Sequence, residues 1–330
     1  MNTFGRNIRL TTFGESHGKA MGGILDGVPG GVRLDMDAIL LAVARRRPGQ
    51  SSIVSARNEQ DIPEILSGVT DDMTTLGTPI GFIVRNTDTR SGDYSGFANM
   101  YRPNHADYTY DMRYGLHEPR GGGRASARET VNWVIAGAIA SQLPCMEGID
   151  IQARLIAVGG VKGSPEELEE EVRKARDAGD SVGGIVECTI SGMPAGIGNP
   201  VFGKLHARLA EAMMTINAAK GFEYGDGFAA AASRGSEQAD IFTCIEGSVS
   251  TLTNHSGGIQ GGISNGMPIK FRVAFKPTPT LLRDVPTIDS EGRPCILKGK
   301  GRHDPCVAVR AVPVVEAMAA LVVCDELIIR

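Results

Sequence analysis

The residues of this chain best suited to chemistry lie in three glycine-rich loops. The first, residues 11–18, places Ser16 and His17 between Glu15 and Gly18. A histidine with small neighbours can reach a ligand and exchange a proton near neutral pH. The second runs from Arg102-Pro103-Asn104-His105-Ala106-Asp107 to Arg120-Gly121-Gly122-Gly123-Arg124-Ala125-Ser126-Ala127-Arg128. It carries arginines at 102, 113, 120, 124 and 128, and Ser126 with Glu129 reads as a capping box at a helix start. The first N–H groups of a helix attract anions, and arginine grips phosphate or carboxylate through paired hydrogen bonds. The third, Lys298-Gly299-Lys300-Gly301-Arg302-His303-Asp304-Pro305-Cys306, combines cations, an imidazole and a carboxylate in one short segment. Arg45-Arg46-Arg47 adds a fourth cationic patch, in a chain whose net charge is −4. Separate positive patches within an acidic total suit small polyanions better than a polymer.

Several other chemistries are disfavoured by the same residues. Gly14-Glu15-Ser16-His17-Gly18-Lys19 is one residue short of a phosphate-binding P-loop, and Ala20 stands where Ser or Thr is needed. Gly225-Asp226-Gly227-Phe228-Ala229-Ala230 fits a loose dinucleotide fingerprint, but it reads as following a helix rather than a strand. His105 with Asp107, and His303 with Asp304, could ligate a metal in a phosphohydrolase, yet no H-E-x-x-H or Cys/His cluster accompanies them. No metal is therefore expected. A net charge of −4, 5% aromatic residues and a single Trp give little basis for nucleic-acid binding.

The elements that must hold these loops are legible in part. The 330 residues are 42% apolar, ample for a core, and no Pro/Ser-rich linker divides them, so one domain over 1–330 is expected. Asp35 can cap a helix bearing Ile39, Leu40 and Val43 that stops at Pro48-Gly49. Val131, Val134, Ile135, Ala138 and Ile139 form a helical stripe, Ser164-Pro165-Glu166-Glu167 opens a charged helix, and Leu205, Leu209, Ala212, Met213 and Ile216 mark another. Strands are expected at 80–85, 184–190 and 269–275, the last alternating Ile269, Phe271, Val273 and Phe275. The apolar stretch 312–329 is broken by Glu316, Asp325 and Glu326 and reads as a core helix rather than a membrane span. Residues 1–9 hold no apolar run of the kind a signal peptide needs, and the six cysteines form no C-x-x-C pair, which suits buried thiols in a reducing cytoplasm. Glycine, 43 of 330 residues, is nearly twice the roughly 7% average and clusters beside Arg, His and Ser. Two internal echoes read either as a chance likeness of glycine-rich turns or as a duplicated α/β unit with the active site between the copies. Gly22-Gly23-Ile24-Leu25-Asp26-Gly27-Val28-Pro29 resembles Gly261-Gly262-Ile263-Ser264-Asn265-Gly266-Met267-Pro268, with His17 and His255 upstream. Gly27-Val28-Pro29-Gly30-Gly31 and Gly192-Met193-Pro194-Ala195-Gly196 each precede a helix.

Taken together, the blocks resemble the chorismate synthase family. Thr12-Phe13-Gly14-Glu15-Ser16-His17-Gly18, Arg45-Arg46-Arg47-Pro48-Gly49, the 102–110 stretch and residues 121–130, 217–227, 254–262 and 301–313 match its motifs in order. The resemblance implies an α/β (α+β) fold, with helices sandwiched between antiparallel β-sheets and an internal pseudo-two-fold repeat. It implies a homotetramer that converts 5-enolpyruvylshikimate 3-phosphate into chorismate and phosphate by 1,4-anti elimination. Reduced FMN is required without net redox change, and NADPH enters at most as an indirect reductant.

Residue roles come from the same resemblance. His105 matches the histidine assigned to the flavin N1 region, and His17 the one on the phosphate side of the substrate. Asp304 matches the carboxylate that aids proton transfer at N5, and Ser16 and Ser126 match serines at the flavin–substrate contact. FMN-binding positions fall on Arg124, Ala125, Ser126, Asn217, Ala218, Gly261, Lys276, Pro277, Thr278, Pro279, Thr280 and Arg302. Arg46 matches an arginine that grips an anionic ligand, substrate or NADP. Three positions depart from the usual pattern: Ala125 replaces a serine, Pro279-Thr280 replaces Ser-Ser, and Ser52 replaces a second arginine, for which Arg57 could compensate. A His/Asp metal phosphohydrolase and a non-catalytic flavin-binding protein are the competing readings.

Overall fold

In the computed structural model, which describes residues 1–47, 60–87, 99–118, 122–299 and 303–328, strands form where apolar residues alternate. The first half holds β1 (Thr3–Phe4), β2 (Arg9–Gly14), β3 (Ala20–Asp26), α1 (Met36–Arg46), β4 (Pro63–Ile65), β5 (Ile80–Arg85), α2 (Asp107–Tyr114) and α3 (Thr130–Ala140). Its strands make one antiparallel sheet in the order β1-β2-β3-β5-β4. Ile80, Phe82 and Val84 on β5 bury one face of it.

The second half continues with β6 (Asp150–Val158), α4 (Pro165–Asp177), β7 (Gly184–Ser191), α5 (Leu205–Thr215) and β8 (Ala219–Tyr224). A hairpin of β9 (Phe242–Ile245) and β10 (Ser248–Thr251) and a short pair, β11 (Ile259–Gln260) and β12 (Ile263–Ser264), lead to β13 (Ile269–Phe275). A last hairpin, β14 (Val285–Ile288) with β15 (Pro294–Leu297), precedes α6 (Val307–Leu327). The second sheet is antiparallel in the order β6-β7-β13-β8. Ile269, Phe271, Val273 and Phe275 all face the interior, as their alternation predicts.

Helices fill the space between the sheets. α3 lies on β2 and β3, α6 lies on β6 and β7, and α1, α3, α5 and α6 pack on one another. α6 is apolar around most of its circumference and is buried along most of its length, so it is an inner helix of the core. α3 and α6 approach closely at Gly137, where a Cβ would lie 2.6 Å from the Ala317 side chain. This is the α+β sandwich expected from the sequence.

Near the end of α6, the Asp325 carboxylate accepts the backbone N–H groups of Arg6 (3.0 Å), Asn7 (2.6 Å) and Ile8 (2.9 Å), and a guanidinium N–H of Arg208 at 2.8 Å. Four donors satisfy a carboxylate that is 1% exposed, which offsets its loss of water.

Of the two sequence echoes, only the Gly-x-Pro one is structural. Gly27 ends β3 at φ +87° and Gly192 ends β7 at φ +78°. A Cβ on Gly27 would lie 2.9 Å from the Asn7 carbonyl carbon and 3.5 Å from Ile8 Cα. On Gly192 the same atom would lie 3.0 Å from the Gly148 carbonyl carbon and 3.5 Å from Ile149 Cα. Each turn thus presses on the residues just before the neighbouring strand, β2 or β6, and each leads into a core helix, α1 or α5. The longer echo is corrected. Gly22 and Gly23 are interior residues of β3, whereas Gly261 and Gly262 form the turn between β11 and β12 at φ +63° and +93°.

Two local expectations also change. Ser126 caps only a short 3₁₀ turn by accepting the Arg128 N–H at 3.3 Å. Glu129 bonds Arg124 and Asn132 instead of reaching back to Ser126, so the capping box is not formed. Gly225 follows a strand, β8, and not a helix; β8 runs antiparallel to β13 and leads into a 3₁₀ segment, so a βαβ unit is still missing.

Candidate active site

The Ser16–His17 loop is a tight turn joining β2 to β3, closed by the Gly18 N–H donating to the Glu15 carbonyl at 2.9 Å. Ser16 is 3% exposed, and its Oγ is buried without a hydrogen-bond partner among the described residues; His17 is half-buried. Asn86, directly after β5, holds the turn from outside. Its Nδ2 donates to the carbonyls of Glu15 (3.0 Å) and Gly18 (2.8 Å).

His105 is fixed by its own loop. Arg102 forms a two-point ion pair with Asp107, Nε–Oδ2 at 2.8 Å and Nη2–Oδ1 at 2.5 Å. His105 Nδ1 lies 3.0 Å from Asp107 Oδ1. Nδ1 lies equally close, 3.0 Å, to Arg102 Nη2, so the ring is held from its Nδ1 side by the Arg102–Asp107 pair. Burial works to raise the Asp107 pKa, but the bonds from Arg102 and His105 outweigh it and hold the group below the usual carboxylate range. Gly122, at φ +81°, makes room for the ring: a Cβ there would lie 2.6 Å from His105 Cε1.

Hydrogen bonds gather the predicted cofactor segments at one end of the second sheet. Asn217 Nδ2 donates to the Ala125 carbonyl at 2.9 Å, and Ala218, at φ +68°, accepts the Lys276 N–H at 2.9 Å. Lys276 Nζ reaches the Asn104 carbonyl beside His105 at 2.6 Å, and burial with nearby Lys220 lowers its pKa. Thr278 Oγ1 donates to the Asp304 carbonyl at 2.8 Å, and Ser181 donates to the Thr278 carbonyl at 2.7 Å. Pro277 is exposed, while Pro279 and Thr280 are half-buried. Arg124 is bound to Glu129 (2.7 Å) and to Thr12 Oγ1 (2.8 Å). Gly261 is not drawn into this cluster. Its neighbour Gly262 accepts the Leu205 N–H at the start of α5, whereas Asn217 lies beyond the end of that helix.

A buried charge network connects these loops. Arg46, 2% exposed, donates to Asp61 Oδ2 at 2.9 Å, Thr130 Oγ1 at 3.0 Å and the Ala127 carbonyl at 3.2 Å. Asp61 Oδ1 accepts from Arg128 Nη1 at 2.7 Å, and Arg128 Nε donates to Asn86 Oδ1 at 2.6 Å. Arg310 joins the Arg46 carbonyl (2.9 Å) to Asp304 Oδ2 (2.7 Å). Burial lowers the Arg46 pKa, neighbouring Arg310 adds to this, and Asp61 opposes it. Asp61, Asn86 and Arg310 carry no signal of their own in the sequence, because each is an isolated polar residue with at least one partner far along the chain.

Two cavities share Asn217 as a wall residue. One, of about 20 Å³, has Arg46, Asn217, Asp304 and Arg310 in its wall. The other is a cleft of about 960 Å³, of the size that takes a cofactor and a substrate, walled in part by Thr12, Glu15, Tyr110, Arg124, Glu129 and Asn217. Asn217 lines both, and its Oδ1 is buried without a hydrogen-bond partner among the described residues. Burial raises the pKa of Glu129 and of Glu15, with Arg124 opposing in both cases and Glu118 adding to the rise at Glu15. The cleft therefore combines a fixed guanidinium with two carboxyl groups whose pKa values burial pushes upward. Ser52 and Arg302, with Pro48, Gly49, Arg57, Arg120, Gly121, Lys300 and Gly301, lie outside the described residues.

The geometry has counterparts in known proteins. A family model described as chorismate synthase matches residues 8–328. A chorismate synthase of Parabacteroides distasonis is 50% identical over 353 aligned residues, covering 100% of this chain and 98% of that protein. One from Christiangramia forsetii is 50% identical, covering 98% of this chain and 96% of that protein. A crystal structure of chorismate synthase superposes with a TM-score of 0.77 at 30% identity, covering 98% of this chain and 92% of the other. With a family model spanning nearly all of it and full-length relatives at half identity, the chain belongs to the chorismate synthase family.

Proposed function

We propose that reduced FMN is the flavin this chain uses, and that the loops meeting at Asn217 hold it beside the substrate. The activity follows from the family: the chain is a lyase of the shikimate pathway that eliminates phosphate from 5-enolpyruvylshikimate 3-phosphate to give chorismate, with reduced flavin required and no net redox change. The residues present suit a flavin phosphate and a polar ring edge. The unpartnered buried Oδ1 of Asn217 supplies an acceptor and Arg124 a cation in the wall of the cleft of about 960 Å³, which supplies the room; Lys276, outside that wall, adds a second cation on the neighbouring segment. In this reading Arg124, Ala125, Ser126, Asn217, Ala218 and the 276–280 segment hold the cofactor. When bound, reduced flavin supplies the electron density that lets phosphate depart and a basic site for the hydrogen that is lost.

The protein's own part is charge and proton control. His105, locked through Nδ1 to Asp107, presents Nε2 at Gly122 as an acceptor or donor of fixed direction. His17 and Ser16 approach from the β2–β3 turn, on the side assigned to the leaving phosphate. Asp304, paired with Arg310, is placed to orient or take a proton. Arg46 spends three donors on Asp61, Thr130 and Ala127, so we assign it to building the site rather than to holding a free nucleotide. NADPH is then an indirect source of electrons. A single domain, a cytoplasmic homotetramer and a small-molecule substrate complete the proposal; the continuous core running through both sheets and the four central helices supports the first of these.

The observation that carries the residue assignment is the convergence on Asn217 of both cavities and of the Ala125 carbonyl. An anaerobic assay with the enolpyruvyl substrate and reduced FMN tests the proposal by chorismate absorbance and phosphate release. Many products per flavin are expected, with the flavin still reduced at the end. Oxidation of one FMN per product would overturn it.

A further inference from the structure

We propose that Asn86 is a positioning residue for His17, setting the direction of that side chain by gripping both ends of its turn. The inference rests on the reading of His17 as a proton-handling group. Asn86 uses its main-chain N–H and its side-chain NH2 group on this task. Its N–H donates to the Lys19 carbonyl at 3.2 Å, just after the turn. The two N–H bonds of its amide diverge, and Nδ2 lies 3.0 Å from the Glu15 carbonyl and 2.8 Å from the Gly18 carbonyl, the first and last residues of the turn. The two peptide units between them carry Ser16 and His17, so fixing the outer carbonyls fixes where those side chains point.

The remaining polar atom, Oδ1, accepts from Arg128 Nε at 2.6 Å. Arg128 is held by Asp61, and its N–H is bonded to Ser126 Oγ. Asn86 therefore registers the Ser16–His17 turn, which belongs to the first sheet, against the Ser126 loop at the head of α3. Asn is the one side chain of this length that donates twice and accepts once. Asp would keep, and strengthen, the bond to Arg128 while losing both donors and repelling both carbonyls.

Asn86→Asp thus separates the two functions of the residue. Turnover by the FMN-loaded enzyme is expected to fall about 10²-fold, the scale of a misplaced reacting group, with the KM for the enolpyruvyl substrate within about 3-fold of wild type. In the His17→Ala background the same change is expected to cost at least about 10-fold less than in wild type, because only Ser16 then remains to be positioned. An equal loss in both backgrounds, or wild-type turnover for Asn86→Asp, overturns the proposal. Normal turnover for His17→Ala alone would instead overturn the reading of His17, and the proposal with it. Asn86→Ser, which keeps one donor, carries the same cycle if Asn86→Asp does not fold; it is expected to fall between Asp and wild type.

Discussion

Asp61→Asn isolates the electrostatics of the buried network from its shape. Asp61 has φ +54°, a conformation Asn tolerates as well as Asp does, so the backbone is not newly strained. The Asp61 side chain is 0% exposed and those of its partners Arg46 and Arg128 are 2% and 6% exposed. The substitution removes the carboxylate that, among the described residues, is bonded to both guanidinium groups. Breaking a buried ion pair in this one-sided way costs about 3–5 kcal/mol, chiefly because the surviving charges stay buried after losing their shared carboxylate. Unfolding entropy of about 2.1 cal/mol/K per residue gives this chain about 0.7 kcal/mol/K, so the Tm should fall by roughly 4–7 °C. Calorimetry at pH 7 measures it directly. Glu64→Gln, at the solvent-exposed pair with Arg85, is the control and should leave the Tm near wild type. A shift below about 1 °C for Asp61→Asn would refute the view that this carboxylate neutralises the two arginines.

Two further outcomes are expected. Gly122→Ala places a methyl group 2.6 Å from His105 Cε1 at a φ of +81°, so single-turnover rates should fall about 10²-fold while the melting temperature drops by only a few degrees; wild-type turnover would detach His105 from the reaction. Asp107, whose native pKa lies below its unfolded value, contributes stability that is complete above about pH 4–5 and is lost as pH falls toward the native pKa, because the unfolded chain binds the proton first. Urea midpoints for Asp107→Asn should therefore be lower at pH 7 yet flatter than wild type between roughly pH 5 and pH 3, and parallel curves would show that Asp107 is not the source of that slope.

What the sequence disclosed was local chemistry. Asp35 caps α1 by accepting the N–H groups of Asp37 and Ala38, Ser164 and Glu167 form a capping box on α4, and the alternation in β13 marks its buried face. Each signal is complete within a few residues. Ser126 and Glu129 carry the same letters as a capping box, but Arg124 and Asn132 claim the Glu129 carboxylate. The longer glycine echo failed for a similar reason. Gly22 and Gly23 lie beneath the rings of Phe13 and Phe82, where a Cβ would come within 2.7 and 2.6 Å, while Gly261 and Gly262 turn a hairpin. The site loops were legible because Arg, His and Gly are concentrated in them. Asp61 and Asn86 were not, since their partners lie 15 to 71 residues away, and Arg310 was not, since its contact with Arg46 spans 264 residues.

The clasp between Asp325 and the N–H groups of residues 6–8 has a consequence for synthesis. The first sheet and α3 are translated early, yet the helix that covers α3, and the carboxylate that fastens the strand-one region, come more than two hundred residues after β5. At roughly 5–20 residues per second the ribosome needs on the order of ten seconds to under a minute to supply them. The leading segment stays unclasped throughout that interval, and once α3 is made its apolar face is also displayed, both open to wrong partners. Chaperone dependence in the cell should accordingly follow translation speed over the second half of the message, even though every contact in the finished clasp is a simple hydrogen bond.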